Sequence, residues 1–199
     1  MKVKSNSLGE VEVEEIRAEL DIAVKLLDKG EFDKAAQKFR AVKKKFPNIS
    51  APYIGLGDIY SAKGEHNKAL ENYDQALKIA PSSELYNNIG AIHFIQGDES
   101  KAESSFNSAI TLDDKNVYAK KNLADLCFKQ EKYKDAIPLY EAGLLVQPES
   151  DSFLGLANCY FKLGRYESAK YGYEKVLEIE PKNKIAKENL KIVNEKLKD

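Results

Sequence analysis

The sequence predicts an all-α chain, an α-solenoid built from one helix–turn–helix unit repeated five times and closed by a final helix. Three observations lead there. Ala35, Ala69, Ala102, Ala136 and Ala169 recur at intervals of 34, 33, 34 and 33 residues. Phe39, Tyr73, Phe106, Tyr140 and Tyr173 keep the same intervals, as do Gly30, Gly64, Gly97 and Gly164 with Glu131 in the missing slot. Pro47, Pro81, Pro148 and Pro181 follow, with Asp114 filling the gap. Independent columns sharing one period of this length mark a repeat array, each period being one supersecondary unit.

Two segments in each period carry helical spacing. In YIGLGDIYSAKG, residues Tyr53, Leu56, Gly57 and Tyr60 fall at i, i+3, i+4 and i+7, one face of a helix. In KALENYDQALKIAP, residues Ala69, Tyr73, Ala76 and Leu77 repeat that logic until Pro81 forbids continuation. Gly64 supplies a tight helix-ending turn between them. The small residues let two helices approach closely and the rings fill the remaining space. Outward positions carry no such demand, so they vary.

At these residues the chain resembles the tetratricopeptide repeat (TPR) family. The best-matching repeat begins at Ser50 and places Tyr53, Leu56, Gly57, Tyr60, Gly64, Ala69, Tyr73, Ala76 and Pro81 on the family's signature positions. In order along the chain, residues 1–15 are expected to be an N-terminal arm or the start of the first helix. The repeats are expected at 16–49, 50–82, 83–116, 117–149 and 150–182. The first has Ile22–Ala23 where Leu–Gly is usual in the family. The fourth has Glu131 for glycine, Pro138 inside its second helix and Gly143 for alanine, so that helix is expected to be the least stable. Residues 183–199 read as a helix capping the last repeat, with Ile185, Leu190 and Val193 at helical spacing.

Composition narrows the function. Of 199 residues, 43% are hydrophobic and 32% charged, which suits a folded chain with a charged surface. Acidic residues number 32 against 31 basic ones, so no net basic field draws in nucleic acid or an anionic membrane. No run approaches the roughly 20 apolar residues of a membrane span. The N-terminus lacks the apolar core of a secretory signal. Cys127 and Cys159 sit in apolar runs without metal spacing, so they are expected to be buried thiols in a reduced, cytoplasmic setting.

No catalytic constellation is apparent, and neither cofactor nor metal is implied. His93 and Cys127 occupy the slot held by Tyr60 and read as core residues; His66 falls in the polar turn GEHNKA and reads as solvated. The chain is therefore expected not to be an enzyme.

The resemblance implies instead a right-handed superhelix whose first helices line a concave groove. Positions on one stripe of those helices would face it. They include Asn88, Asn122, Asn189 and Asn158, with Asn87 and Lys121 beside them, Asp58 and Asp125, and Phe94, Phe128 and Phe161. Asparagine amides both donate and accept, which suits the backbone of an extended peptide. Phenylalanines offer apolar anchors. Co-chaperones of the family grip a C-terminal carboxylate with a lysine–asparagine clamp; only one of the five clamp residues is present in either frame here. Asp58 and Asp125 are expected to favour a neutral, apolar or basic segment. The sequence thus points to a protein-interaction adaptor or scaffold binding a peptide or partner segment. The alternatives are a self-assembling scaffold and a regulatory region attached to an enzyme.

Overall fold

The computed structural model describes residues 9–198. Among the described residues there are eleven α-helices and no strand. They sort into two compact units, one ending at Pro81 and one beginning at Ser82. The first holds α1 (Glu10–Asp28), α2 (Phe32–Lys45), α3 (Ala51–Ala62) and α4 (His66–Ile79). The second holds α5 (Ser83–Ile95), α6 (Glu99–Leu112), α7 (Val117–Lys129), α8 (Tyr133–Val146), α9 (Ser150–Lys162), α10 (Tyr166–Ile179) and α11 (Lys184–Lys196).

Helices pair with their sequence neighbours, α1 with α2 through α9 with α10, and α11 lies against α10. In the first unit α2 also meets α3, and α1 meets α3. In the second, α6 meets α7 and α8 meets α9, while α5, α7 and α9 touch in succession. First helices therefore form one layer within each unit and second helices another. The expected N-terminal arm divides: residues 1–8 lie outside the described residues, and from Glu10 the chain is already helical.

The turn inside each pair has one recurring geometry. The Gly64 N–H donates to the Ser61 carbonyl at 2.9 Å and the Glu65 N–H to the Tyr60 carbonyl at 2.8 Å, the two bonds of a Schellman cap. The same pair of bonds ends α1, α5, α7 and α9. This cap needs a left-handed residue, and four of the five are glycines with φ between 71° and 78°. The fifth is Glu131, at φ 59°. The bonds at that turn are as short as elsewhere, so the cap is kept and the side chain bears the strain.

Each second helix drives a ring into the small residues of a first helix. Phe39, Tyr73, Phe106, Tyr140 and Tyr173 are all at most 2% exposed. A Cβ built on Gly57 would lie within 3.0 Å of the Tyr73 ring, and one on Gly90 would similarly strike Phe106. Phe39 and Tyr140 instead press on Gly55 and Gly155 of the following first helix. Ring and glycine are therefore complementary surfaces in van der Waals contact.

Two sequence expectations need revision or extension. The buried stripe of α11 is Ala186 and Val193, with Leu190 and Leu197 partly buried beside them; Ile185 is 56% exposed and takes no part. Pro138 lies within α8, yet that helix runs for 14 residues like the other four second helices, so the proline removes a bond without shortening it.

Gly143 is unlike the contact glycines. A Cβ there would meet nothing nearer than the Val117 carbonyl oxygen at 3.9 Å. Gly143→Ala should stabilise the chain by about 0.4–1 kcal/mol through lowered chain entropy. Gly155→Ala should destabilise it by about 1–3 kcal/mol, because Tyr140 is sealed in place. Urea unfolding of the two variants checks the opposite signs. Glu131→Gly relieves the left-handed strain at a small entropic cost, for a net gain of about 0.5–1 kcal/mol; an unchanged or lower urea midpoint would refute it.

Candidate functional site

In the second unit the first-helix layer is tied together by side-chain amides. Asn122 on α7 donates through Nδ2 to Asn87 Oδ1 on α5 at 2.8 Å. Asn189 on α11 donates in the same way to Asn158 on α9 at 3.3 Å. Asn88, next to Asn87, is half-buried and makes no side-chain hydrogen bond among the described residues. The Asn87–Asn122 pair also leaves the Asn87 amide protons and the Asn122 carbonyl unbonded. One donor group and one acceptor thus stand side by side across two helices.

Lys121, one residue before Asn122, bonds the Asp125 carboxylate at 2.8 Å. Burial works against the lysine's charge, but the bond and charge of Asp125, with Asp151 and Glu149 further off, outweigh it and hold the ammonium above its ordinary pKa. Tyr118, one turn away on the same helix, is 58% exposed, and Ile95 at the end of α5 is 67% exposed.

Three of the expected ligand-facing residues have another occupation. The Tyr73 hydroxyl donates to Asp58 Oδ1 at 2.7 Å, the Tyr140 hydroxyl to Asp125 Oδ1, and the Tyr173 hydroxyl to Asn158 Oδ1 at 2.7 Å. Each acceptor lies 15 residues before its tyrosine. A phenol driven into the core must find an acceptor or lose its hydration uncompensated. The signal was present in the sequence: where the ring has no hydroxyl, the residue 15 positions earlier is Val24 (for Phe39) or Ala91 (for Phe106). Polar pairs with polar and apolar with apolar in all five units. Asp58, Asp125 and Asn158 thus each accept an internal bond through Oδ1, a role their columns did not announce.

The tyrosines feel the same surroundings. Burial pushes the Tyr173 phenol up to about 12, and burial together with Asp125 raises Tyr140. Burial also raises the Asp58 carboxyl, and the Tyr73 hydrogen bond only partly offsets this.

The phenylalanines are half-buried. Phe128 meets Tyr133 edge-on with centroids 5.2 Å apart, and Phe161 meets Tyr166 at 5.8 Å. Phe94 packs beside Phe106 and Leu126, and its ring lies 5.2 Å from the Lys129 ammonium. Phe128 and Phe161 thus pack within their own helix pairs, while Phe94 also reaches α7.

Burial raises both thiols, Cys159 to about 12, so they are held as neutral, unreactive groups. His93 Nδ1 is buried, in keeping with a packing role, although it has no hydrogen-bond partner among the described residues; His66 Nδ1 is buried too, so this ring is not fully solvated as its turn suggested. Among the described residues no cluster of three or more His, Cys, Asp or Glu could hold a metal, and no helix is long and apolar enough to cross a membrane.

Comparison with known proteins settles the lineage of this architecture. Tetratricopeptide repeat models match residues 48–115 and 150–183, together just over half of the chain. The chain belongs to the tetratricopeptide repeat family. The human Tetratricopeptide repeat protein 6 is 27% identical over 139 residues, covering 70% of this TPR chain and 27% of its own length. The Saccharomyces cerevisiae Heat shock protein STI1 is 31% identical over 110 residues, covering 54% of this chain and 18% of its own. The TPR chain therefore spans about a quarter or less of these two relatives. Among solved structures, MamA superposes with a TM-score of 0.71 at 26% identity, covering 81% of this chain and 95% of that one.

The Asp58 environment has a measurable sign. Its folded-state pKa lies above the ordinary 3.8, so the folded chain binds the proton more tightly than the unfolded one. Stability therefore falls as pH rises from about 3.8 through the raised value, and the full penalty applies above it. Asp58→Asn removes that titration while keeping an acceptor for Tyr73, as Asn158 does for Tyr173. The melting temperature of the variant relative to the parent should rise between pH 3 and pH 7.5; a flat or falling difference would contradict this origin.

Proposed function

We propose that this chain, which carries the architecture of TPR interaction scaffolds, binds an extended segment of a partner protein across the first-helix layer of its second unit, centred on α5 and α7. The observation that carries this reading is the Asn88 amide, unbonded beside the half-used Asn87–Asn122 pair. Amides so placed match a peptide's alternating N–H and C=O groups without selecting its sequence. Tyr118 and Ile95 add exposed apolar area on the same helices, the usual source of anchoring energy. Lys121 is already neutralised by Asp125, while Glu84 and Asp151 are exposed at the starts of α5 and α9. That balance favours a neutral, apolar or basic segment over an acidic one. The role is that of an adaptor, and no chemistry is assigned to the bound segment.

The test begins with peptides selected from a random display library against the full chain and measured by calorimetry. Asn88→Ala with Tyr118→Ala should weaken binding about tenfold or more, some 1.4 kcal/mol, with the melting temperature unchanged. Among the described residues neither side chain makes an internal hydrogen bond, and the unchanged melting temperature separates a lost contact from misfolding. Affinity that survives the double variant would overturn the reading.

A further inference from the structure

A second surface lies on the opposite layer of the same unit. α8 and α10 are separated by a groove of about 700 Å³, floored by Leu156 and Tyr160 of α9. Its walls carry Leu144 and Leu145 from α8 and Tyr171 from α10, with the carboxylates of Glu141 and Glu167 at the rim. Leu145 is 88% exposed, Tyr171 60% and neighbouring Val146 53%. Nothing in the fold needs an apolar side chain at Leu145, which faces water almost completely.

The first unit supplies an internal control. There α2 and α4 enclose the corresponding groove, floored by Leu56 and Tyr60, with a volume of about 550 Å³. Arg40, Lys43 and Lys44 occupy the places of Glu141, Leu144 and Leu145. The floor is the same and the walls are opposite in character. In one groove Tyr60 accepts a bond from Arg40 at 3.0 Å; in the other Tyr160 donates to Glu141 at 2.7 Å. The backbone thus provides a groove at both places, and side-chain choice alone turns one basic and the other apolar with an acidic rim.

We propose that the α8–α10 groove is a docking site for a basic amphipathic segment of a partner protein, with an apolar side chain seated between Leu145 and Tyr171 and cations on Glu141 and Glu167. Charge complementarity selects this occupant: two carboxylates and no cation are among the lining residues, and the Lys175 ammonium, 5.5 Å from the Tyr171 ring, is already paired with Glu178. The apolar walls fit a helix laid into a groove, whose anchors recur every three or four residues. This site is separate from the first-helix face, so the chain would hold two segments at once, one on each layer.

The test uses the full chain and a fluorescein-labelled Leu/Lys amphipathic peptide, with a Leu/Glu peptide of equal length as the comparison. Anisotropy should show binding of the Leu/Lys peptide that Leu145→Asp weakens about tenfold or more. Glu141→Gln with Glu167→Gln should weaken it about fivefold and flatten its salt dependence, since a glutamine still accepts the Tyr160 bond. Asn88→Ala with Tyr118→Ala should leave it unchanged, which separates this site from the other face. Equal binding by Leu145→Asp, equal binding of the Leu/Glu peptide, or loss of binding in the Asn88/Tyr118 variant would each overturn the proposal. A dimer in sedimentation that Leu145→Asp disperses would seat a second copy of this chain there instead, and would overturn it as well.

Discussion

Ring against small residue is the contact on which the other features depend. Each second helix commits one aromatic side chain to a space that a single methyl group would close, as Gly57, Gly90 and Gly155 show. That contact fixes how near two helices come and in which register. The Schellman turn then follows, because helices held so closely leave room for only two or three linking residues. Once register and turn are set, one stripe of every first helix is left without a partner from its own pair. The two proposed docking surfaces lie on that stripe and in a groove between second helices.

Close approach also governs electrostatics. The ring that wedges a pair apart carries a hydroxyl in three of five units, and its burial forces a polar atom onto the neighbouring first helix. A requirement of the core thereby reaches the first-helix layer and occupies part of it. The amides of Asn87 and Asn122 escape this demand because they bond each other across helices with capacity to spare.

Much of this was legible in the sequence. The period, the glycine turns, the buried rings and the helical character of every segment follow from demands that act within one repeat, so they recur in the same columns. Other features were misread or needed three dimensions. Ala186, Leu190 and Val193 fall at i, i+4 and i+7, whereas Ile185 lies five residues before Leu190, off that stripe; its greater hydrophobicity drew the reading, and the core selects Ala186. The internal bonds of Asp58, Asp125 and Asn158 went unread because each residue was compared with its own column, whereas its partner sits in another column 15 residues downstream. Leu145 drew no attention because second-helix exteriors carry no motif, and its exposure has meaning only beside Arg40, Lys43 and Lys44 in the corresponding groove.

The three ring–acceptor pairs bear on how such a chain can change. Removing the hydroxyl of Tyr73 alone takes a partner from a carboxylate; replacing Asp58 alone with valine takes one from a phenol. Each single step loses a partner for a desolvated group, a penalty of about 1–3 kcal/mol. The double exchange restores a matched pair, the state already occupied by Phe39 with Val24 and Phe106 with Ala91. Two good solutions are thus separated by poor intermediates. Divergence among the repeats must cross that barrier in linked steps, coupling sites that a column-by-column comparison would treat as independent.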